Sequence, residues 1–117
     1  MKTLIIINDP PYGTERMYNG LRLAAALLKN AESQVSVFLM ADAVSGCKSG
    51  QKTPDGYYNV ERMLRRVTSH SRGELLLCST CLDARGIQDT EVMPGARRST
   101  MDELAAVTAA ADKVLVF

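Results

Sequence analysis

The spacing of apolar residues along the chain is the feature that most constrains its fold. Short apolar runs rich in Leu, Ile and Val alternate with stretches in which apolar residues recur every three or four positions. Short continuous apolar runs favour strands buried on both faces, whereas the wider spacing favours amphipathic helices. Strands are predicted at residues 3–7, 34–40, 74–77 and 113–117, and helices at residues 15–29, at residues 59–69 and from Thr100 onward.

This alternation predicts an α/β fold. A weaker apolar pattern at residues 87–93 indicates a further candidate strand, so we expect a sheet of four to five strands. Because strand–helix–strand units build parallel sheets with helices on their faces, we expect a three-layer α/β/α architecture with a mainly parallel sheet. The chain has 117 residues, of which 46% are hydrophobic, and this suffices for one core. We therefore expect a single domain over residues 1–117.

Charge and hydropathy narrow the classes of partner. The formal net charge of +1 gives no electrostatic reason to expect nucleic acid or an anionic membrane. No apolar run approaches the roughly 18 residues of a membrane span, and the run at residues 4–7 is too short for a secretory signal. We expect a cytoplasmic protein whose three cysteines are thiols rather than a disulfide framework.

A parallel sheet would bring three polar segments together. Residues 8–14, the long connection that begins at residue 41, and residues 78–86 each follow a predicted strand. The carboxyl ends of parallel strands share one edge of the sheet, where ligands usually bind. We therefore expect the three segments to meet there, with Cys47 and Cys78 as potential neighbours.

The stretch Cys78-Ser79-Thr80-Cys81 carries the strongest chemical signal. Thr80-x-x-Asp83 fits a capping box, which predicts a short helix that starts at Cys81. The partial positive charge at a helix N-terminus favours a thiolate over a thiol, and Arg85 adds a positive charge one turn on. Either thiol is therefore a candidate nucleophile.

Other interpretations of the cysteines stay open at this point. Free cysteines are often buried packing residues, and a C-x-x-C pair near strand–helix–strand units is also typical of thioredoxin-like dithiols. A zinc site would need about four ligands, and only Cys47 and His70 are left to complete one. We predict no metal site.

Five segments, in order and at matching distances, resemble the DsrE/DsrF-like family. The resemblance covers essentially the whole chain and is closest to the family's uncharacterised homologues, in which Cys81 is common. The segments are PPYGT at residues 10–14, VFLMADAV at 37–44, GYYNVERML at 56–64, LLLCSTCLDARGI at 75–87 and ADKVLVF at 111–117.

The resemblance implies a sulfur-carrier or sulfurtransferase-like protein of intracellular sulfur relay, which acts mainly as a carrier. Cys78 would accept sulfane sulfur as a persulfide, and Cys81 would be a resolving thiol or a passive neighbour. No metal or organic cofactor is implied. The partners implied are sulfur donor and acceptor proteins and further copies of the chain, in a trimer or hexamer. Loop residues would shape the pocket: Tyr12, Gly13, Cys47, Arg85 and Gly86.

Two alternatives accompany this hypothesis. A small-ligand or partner-binding module would keep the fold without sulfur transfer. A C-x-x-C dithiol redox protein would form a reversible disulfide between Cys78 and Cys81.

Overall fold

A computed structural model describes residues 1–117 and contains five strands and four α-helices. The strands are β1 (Lys2–Ile7), β2 (Gln34–Leu39), β3 (Gly73–Cys78), β4 (Ala96–Ser99) and β5 (Lys113–Val116). The α-helices are α1 (Arg16–Leu28), α2 (Val60–Thr68), α3 (Ser79–Ala84) and α4 (Met101–Ala110). No helix is both long and apolar enough to cross a membrane, since even α1 has only 13 residues.

All five strands run parallel in the order β4-β3-β2-β1-β5. Helices cover both faces of this sheet, which confirms the predicted three-layer α/β/α architecture. The strand order places β3 and β2 side by side, so the segments that follow them leave the sheet as neighbours at its carboxyl edge.

The two faces of the sheet are covered unequally. Alternating side chains of β1 separate the faces: Ile5 and Ile7 join a core of 21 buried residues beneath α1 and α2. Leu4 joins a smaller core of four buried residues on the face that α4 covers, together with Leu104 of α4. The α4 face therefore has much less cover, and every residue of β5 stays exposed.

The fourth strand lies later in the chain than its sequence signal indicates. Residues 87–93 form a short 3-10 helix, Asp89–Glu91, and a single bridge between Lys48 and Val92. β4 is instead Ala96–Ser99, which pairs with the carboxyl half of β3. The strand prediction for residues 87–93 is wrong because β4 is a short edge strand with two arginines, and edge strands need little apolar character.

The long connection after β2 is partly a buried helix. We predict a polar connection over residues 41–56, but its first seven residues, Ala41–Cys47, form a 3-10 helix. Ala43 and Val44 of this helix are fully buried. Their burial anchors the start of the connection against the core next to the end of β3, where the candidate site lies.

Candidate functional site

Cys78 ends β3 at the carboxyl edge of the sheet. It occupies the N-cap position of α3, which begins at Ser79. The predicted cap by Thr80 is wrong, because Asp83 accepts a hydrogen bond from Arg98 at 3.1 Å instead. The helix starts two residues earlier than predicted, with Cys78 as its N-cap residue and Cys81 inside its first turn.

The surroundings of Cys78 favour its thiolate. Partial burial raises the pKa of this thiol, but the Cys81 thiol, the Thr80 hydroxyl and the nearby backbone N–H groups of both residues outweigh burial and lower the pKa overall. The Thr80 Oγ1 atom lies 3.3 Å from the Cys78 sulfur. Cys78 is only half-buried, so this residue is partly accessible to solvent at the carboxyl edge.

Cys81 has the opposite protonation preference. Burial raises the pKa of this thiol, and the adjacent Cys78 raises it further, against weaker opposing effects of the Ala41 N–H group and Arg85. The N–H group of Ala41 donates to the Cys81 sulfur at 3.2 Å. The two thiols therefore differ in acidity: Cys78 loses its proton more readily than an ordinary thiol, and Cys81 loses it less readily.

Arg85 fastens α3 to the segment that follows β2. Its guanidinium donates to one carboxylate oxygen of Asp42 at 2.8 and 3.1 Å, and to the carbonyl oxygen of Cys81 at 3.1 Å. Next to it, Gly86 takes a left-handed backbone conformation with φ of 64°. Glycine adopts this conformation without strain, so Gly86 ends α3 directly after the arginine.

Arg98 of β4 fastens the other side of α3. Its guanidinium donates to Asp89 at 2.6 Å, to Asp83 at 3.1 Å and to the carbonyl oxygen of Ser79 at 3.2 Å. Arg98 thus holds the first turn of α3, and with it Cys78, against the edge strand. Sequence analysis missed this residue because its acidic partners lie 9 and 15 positions away.

Cys47 does not face solvent beside Cys78. Its side chain is fully buried in the larger core, and burial raises its pKa to about 11. Its carbonyl oxygen accepts a hydrogen bond from Met93 at 2.8 Å. The structure therefore places this residue in the scaffold beneath the carboxyl edge and not on its surface.

Tyr12 and Gly13 belong to a second cluster, around the start of α2. The Tyr12 hydroxyl donates to Gln51 at 2.6 Å and accepts the N–H group of Val60 at 3.1 Å, and its ring stacks on Tyr58. Gly13 has a φ of 97°, as the turn after β1 requires. The hydrogen bonds of Tyr12 fasten two connections to each other, and none of them reaches Cys78 or Cys81.

Ala41 contacts Cys81 through its backbone, and nothing in the sequence indicates this contact. It is the single non-glycine residue with positive φ, at 51°, and its N–H group reaches Cys81 because the chain turns sharply after β2. Alanine gives no sequence signal for such a turn. Among the described residues, no group of three or more His, Cys, Asp or Glu side chains is arranged to hold a metal ion.

The fold and the site define a small α/β protein with two unequal thiols at the carboxyl edge of a parallel sheet. The chain belongs to the DsrE/DsrF-like family, whose model matches residues 1–117.

Several relatives support this assignment. The chain is 42% identical to protein YchN of Escherichia coli, over 99% of this chain and 98% of YchN. The crystal structure of YchN superposes on it with a TM-score of 0.92 over the same shares. An uncharacterised protein of Methanocaldococcus jannaschii is 34% identical over the full length of both chains. The sulfurtransferase TusD of Salmonella typhi is 24% identical, also over the full length of both.

Proposed function

We propose that this protein is a sulfur carrier of cytoplasmic sulfur relay and that Cys78 accepts sulfane sulfur as a persulfide. The observation that carries the proposal is the half-buried Cys78 thiol at the carboxyl edge, whose surroundings lower its pKa. A thiolate, rather than a thiol, is the nucleophile in sulfur exchange. Membership of a family that includes a sulfurtransferase supports the same chemistry.

The loading step needs no cofactor. The Cys78 thiolate attacks the outer sulfur of a donor persulfide, R–S–SH, and forms a new S–S bond. The S–S bond of the donor breaks, and the donor leaves as a thiolate, R–S⁻. The outer sulfur and its proton then belong to Cys78, and a thiolate on an acceptor protein removes that sulfur by the same reaction.

Assembly into a homo-oligomer, a trimer or a hexamer, is part of the proposal. In β5, Val114 and Val116 lie in register with Leu4 and Ile6 of β1, on the face that α4 covers only in part. Val116 is 64% exposed, and Met101 at the start of α4 is 62% exposed. Val114 and Val116 are two positions apart on one face of β5 and are both exposed, and neighbouring exposed apolar side chains of this kind are typical of protein interfaces.

The test is intact mass after brief anaerobic treatment of the reduced protein with glutathione persulfide. We expect a gain of one sulfur, about 32 Da, in the wild type and in Cys81→Ser. Cys78→Ser should show no gain while its circular dichroism spectrum stays unchanged. Equal loading of Cys78→Ser would refute the proposal, and no gain in any protein would favour a binding module without sulfur transfer.

A further inference from the structure

A simple carrier does not need Cys81 as a second nucleophile, yet the N–H group of Ala41 holds the sulfur of Cys81 close to Cys78. We infer that Cys81 is a resolving thiol, which attacks a persulfide on Cys78, closes a Cys78–Cys81 disulfide and releases the carried sulfur as hydrosulfide. This inference rests on the proposed function, because it requires that Cys78 can be loaded. It adds a second activity, sulfide release, to the same site.

The helix geometry places the two sulfurs on the same side of α3. Cys78 is the N-cap residue and Cys81 is the third residue of the helix. The Cys78 sulfur makes no capping hydrogen bond to the backbone, but it lies 3.3 Å from the Thr80 hydroxyl, next to the first turn that also contains Cys81. Each sulfur contributes to the pKa of the other, as expected for sulfurs in close proximity. Cys47, the third cysteine, is fully buried and cannot take this role.

The backbone at Ala41 supports an anion on Cys81. Its N–H group lies 3.2 Å from the Cys81 sulfur, and the left-handed conformation of Ala41 aims it there. Hydrogen bonds to a charged acceptor are stronger than bonds between neutral groups, so this N–H group stabilises a Cys81 thiolate more than a thiol. Arg85, held one turn further along by Asp42, acts in the same direction.

The two sulfurs of a persulfide have different fates. A partner's thiolate that attacks the outer sulfur removes it, which is transfer. The Cys81 thiolate instead reaches the inner sulfur, the Sγ atom of Cys78. A bond forms between the two Sγ atoms, the bond to the outer sulfur breaks, and HS⁻ leaves with the electron pair of that bond. No outside oxidant is required, and a thiol reductant such as glutathione later returns the disulfide to two thiols.

Loading of Cys78 would itself favour ionisation of the Cys81 thiol. Burial raises the pKa of Cys81, and while Cys78 is an unmodified thiolate its hydrogen bond and its charge raise that pKa further. Loading removes that charge, because it leaves with the donor as R–S⁻ and Cys78 becomes a neutral persulfide, so Cys81 more readily becomes a thiolate. An acceptor that docks promptly receives sulfur, whereas a persulfide that waits is discharged as sulfide.

The test follows loaded protein over time. The wild type, Cys81→Ser and Cys81→Ala are treated briefly with glutathione persulfide, desalted without oxygen, and sampled for intact mass and free sulfide. We expect the wild type to release about one equivalent of sulfide and to change from one extra sulfur to the loss of two hydrogens. Both Cys81 variants should still gain one sulfur, although more slowly, because the thiol that stabilises the Cys78 thiolate is absent. Once loaded, they should release sulfide at least about 100-fold more slowly than the wild type, because the intramolecular attack is lost.

The outcomes separate the two proposals. Equal sulfide release from the wild type and both Cys81 variants would overturn the resolving role and leave Cys78 loading intact. Retention of the extra sulfur by the wild type would overturn it as well. Failure of every protein to load would overturn the carrier function, and the resolving role with it. The second variant, Cys81→Ala, guards against an effect of the serine hydroxyl on the site.

Discussion

The three cysteines should react with iodoacetamide at three separate rates. Ionised sulfur is the reacting form, and a thiol with the ordinary pKa of 9.0 is about 1% ionised at neutral pH. Cys47, with a pKa of about 11, is about 0.01% ionised, and its complete burial slows it further. The ionised fraction of Cys78 should exceed that of an ordinary thiol, because its pKa is lowered, and the ionised fraction of Cys81 should be smaller, because its pKa is raised.

The expected order of alkylation is therefore Cys78, then Cys81, then Cys47, with at least about 100-fold between the first and the last. Peptide mapping by mass spectrometry at timed intervals gives the three rates separately. In denaturant the three rates should converge, because burial and neighbouring groups no longer distinguish the thiols.

Single variants test the coupling between the thiols. Cys78→Ala removes a neighbour that raises the pKa of Cys81, so Cys81 should react faster than in the wild type. Cys81→Ala removes the thiol that stabilises the Cys78 thiolate, so Cys78 should react more slowly. Slower reaction of Cys81 in Cys78→Ala, or faster reaction of Cys81 than of Cys78 in the wild type, would refute the description of the site.

Three further changes test the scaffold and the assembly. Hydrogen bonds from Arg97 and a serine of β4 lower the pKa of Glu103 from 4.5 to about 2. The Glu103 side chain is 33% exposed, so solvent screening reduces the contribution of these bonds to stability. We therefore expect Glu103→Gln to lower the free energy of unfolding in urea by about 1 kcal/mol. The folded-state pKa is depressed, so that contribution is complete above pH 4.5 and disappears as the pH falls through 2. Gly73→Ala would place a Cβ atom 2.2 Å from the carbonyl oxygen of Val67, and we expect thermal unfolding to show a loss of about 2–3 kcal/mol. Val116→Lys should shift the oligomer toward monomer in light scattering, because it puts a charge on the exposed face of β5.

Matched controls accompany these changes. An equal effect of Glu103→Gln at pH 2 and at neutral pH would contradict the pH argument. Gly46→Ala would meet side chains and no backbone atom, namely the flexible end of Met17 at 3.0 Å and the Val60 Cγ1 atom at 3.3 Å, so it should cost less than Gly73→Ala. A monomeric wild-type protein would remove the basis for the assembly, whatever Val116→Lys does.

The sequence predicts elements that carry a periodic apolar pattern and misses those that do not. The strands at residues 3–7 and 113–117 and the helices at residues 15–29 and 59–69 are found within a residue or two of their predicted bounds. The apolar pattern does not locate β4, because two of its four residues are arginines whose positions are set by acidic partners on α3 and α4. Such pairing depends on tertiary structure, which periodicity does not describe.

The site was predictable in part for the same reason. Parallel topology correctly brings the segments after β2 and β3 together, as the bond from Ala41 to Cys81 shows. It does not reveal which side chains face solvent, and Cys47 therefore lies in the core although it follows the same strand as Ala41. Tyr12 lies in the connection after β1, and its hydrogen bonds with Gln51 and with the N–H group of Val60 hold it at the start of α2 instead.

The position of β1 between β2 and β5 has a consequence for how the chain folds as it is synthesised. β1 pairs with β2 within the first 39 residues, but its other edge pairs with residues 113–116. The N–H group of Lys2 meets the carboxylate of Asp112 across 110 positions. Closing so large a loop is slow, and an unpaired apolar edge invites pairing with other chains. On the ribosome, β1 therefore carries an open edge until β5 emerges, and we expect this edge to be prone to pairing with other chains during that interval.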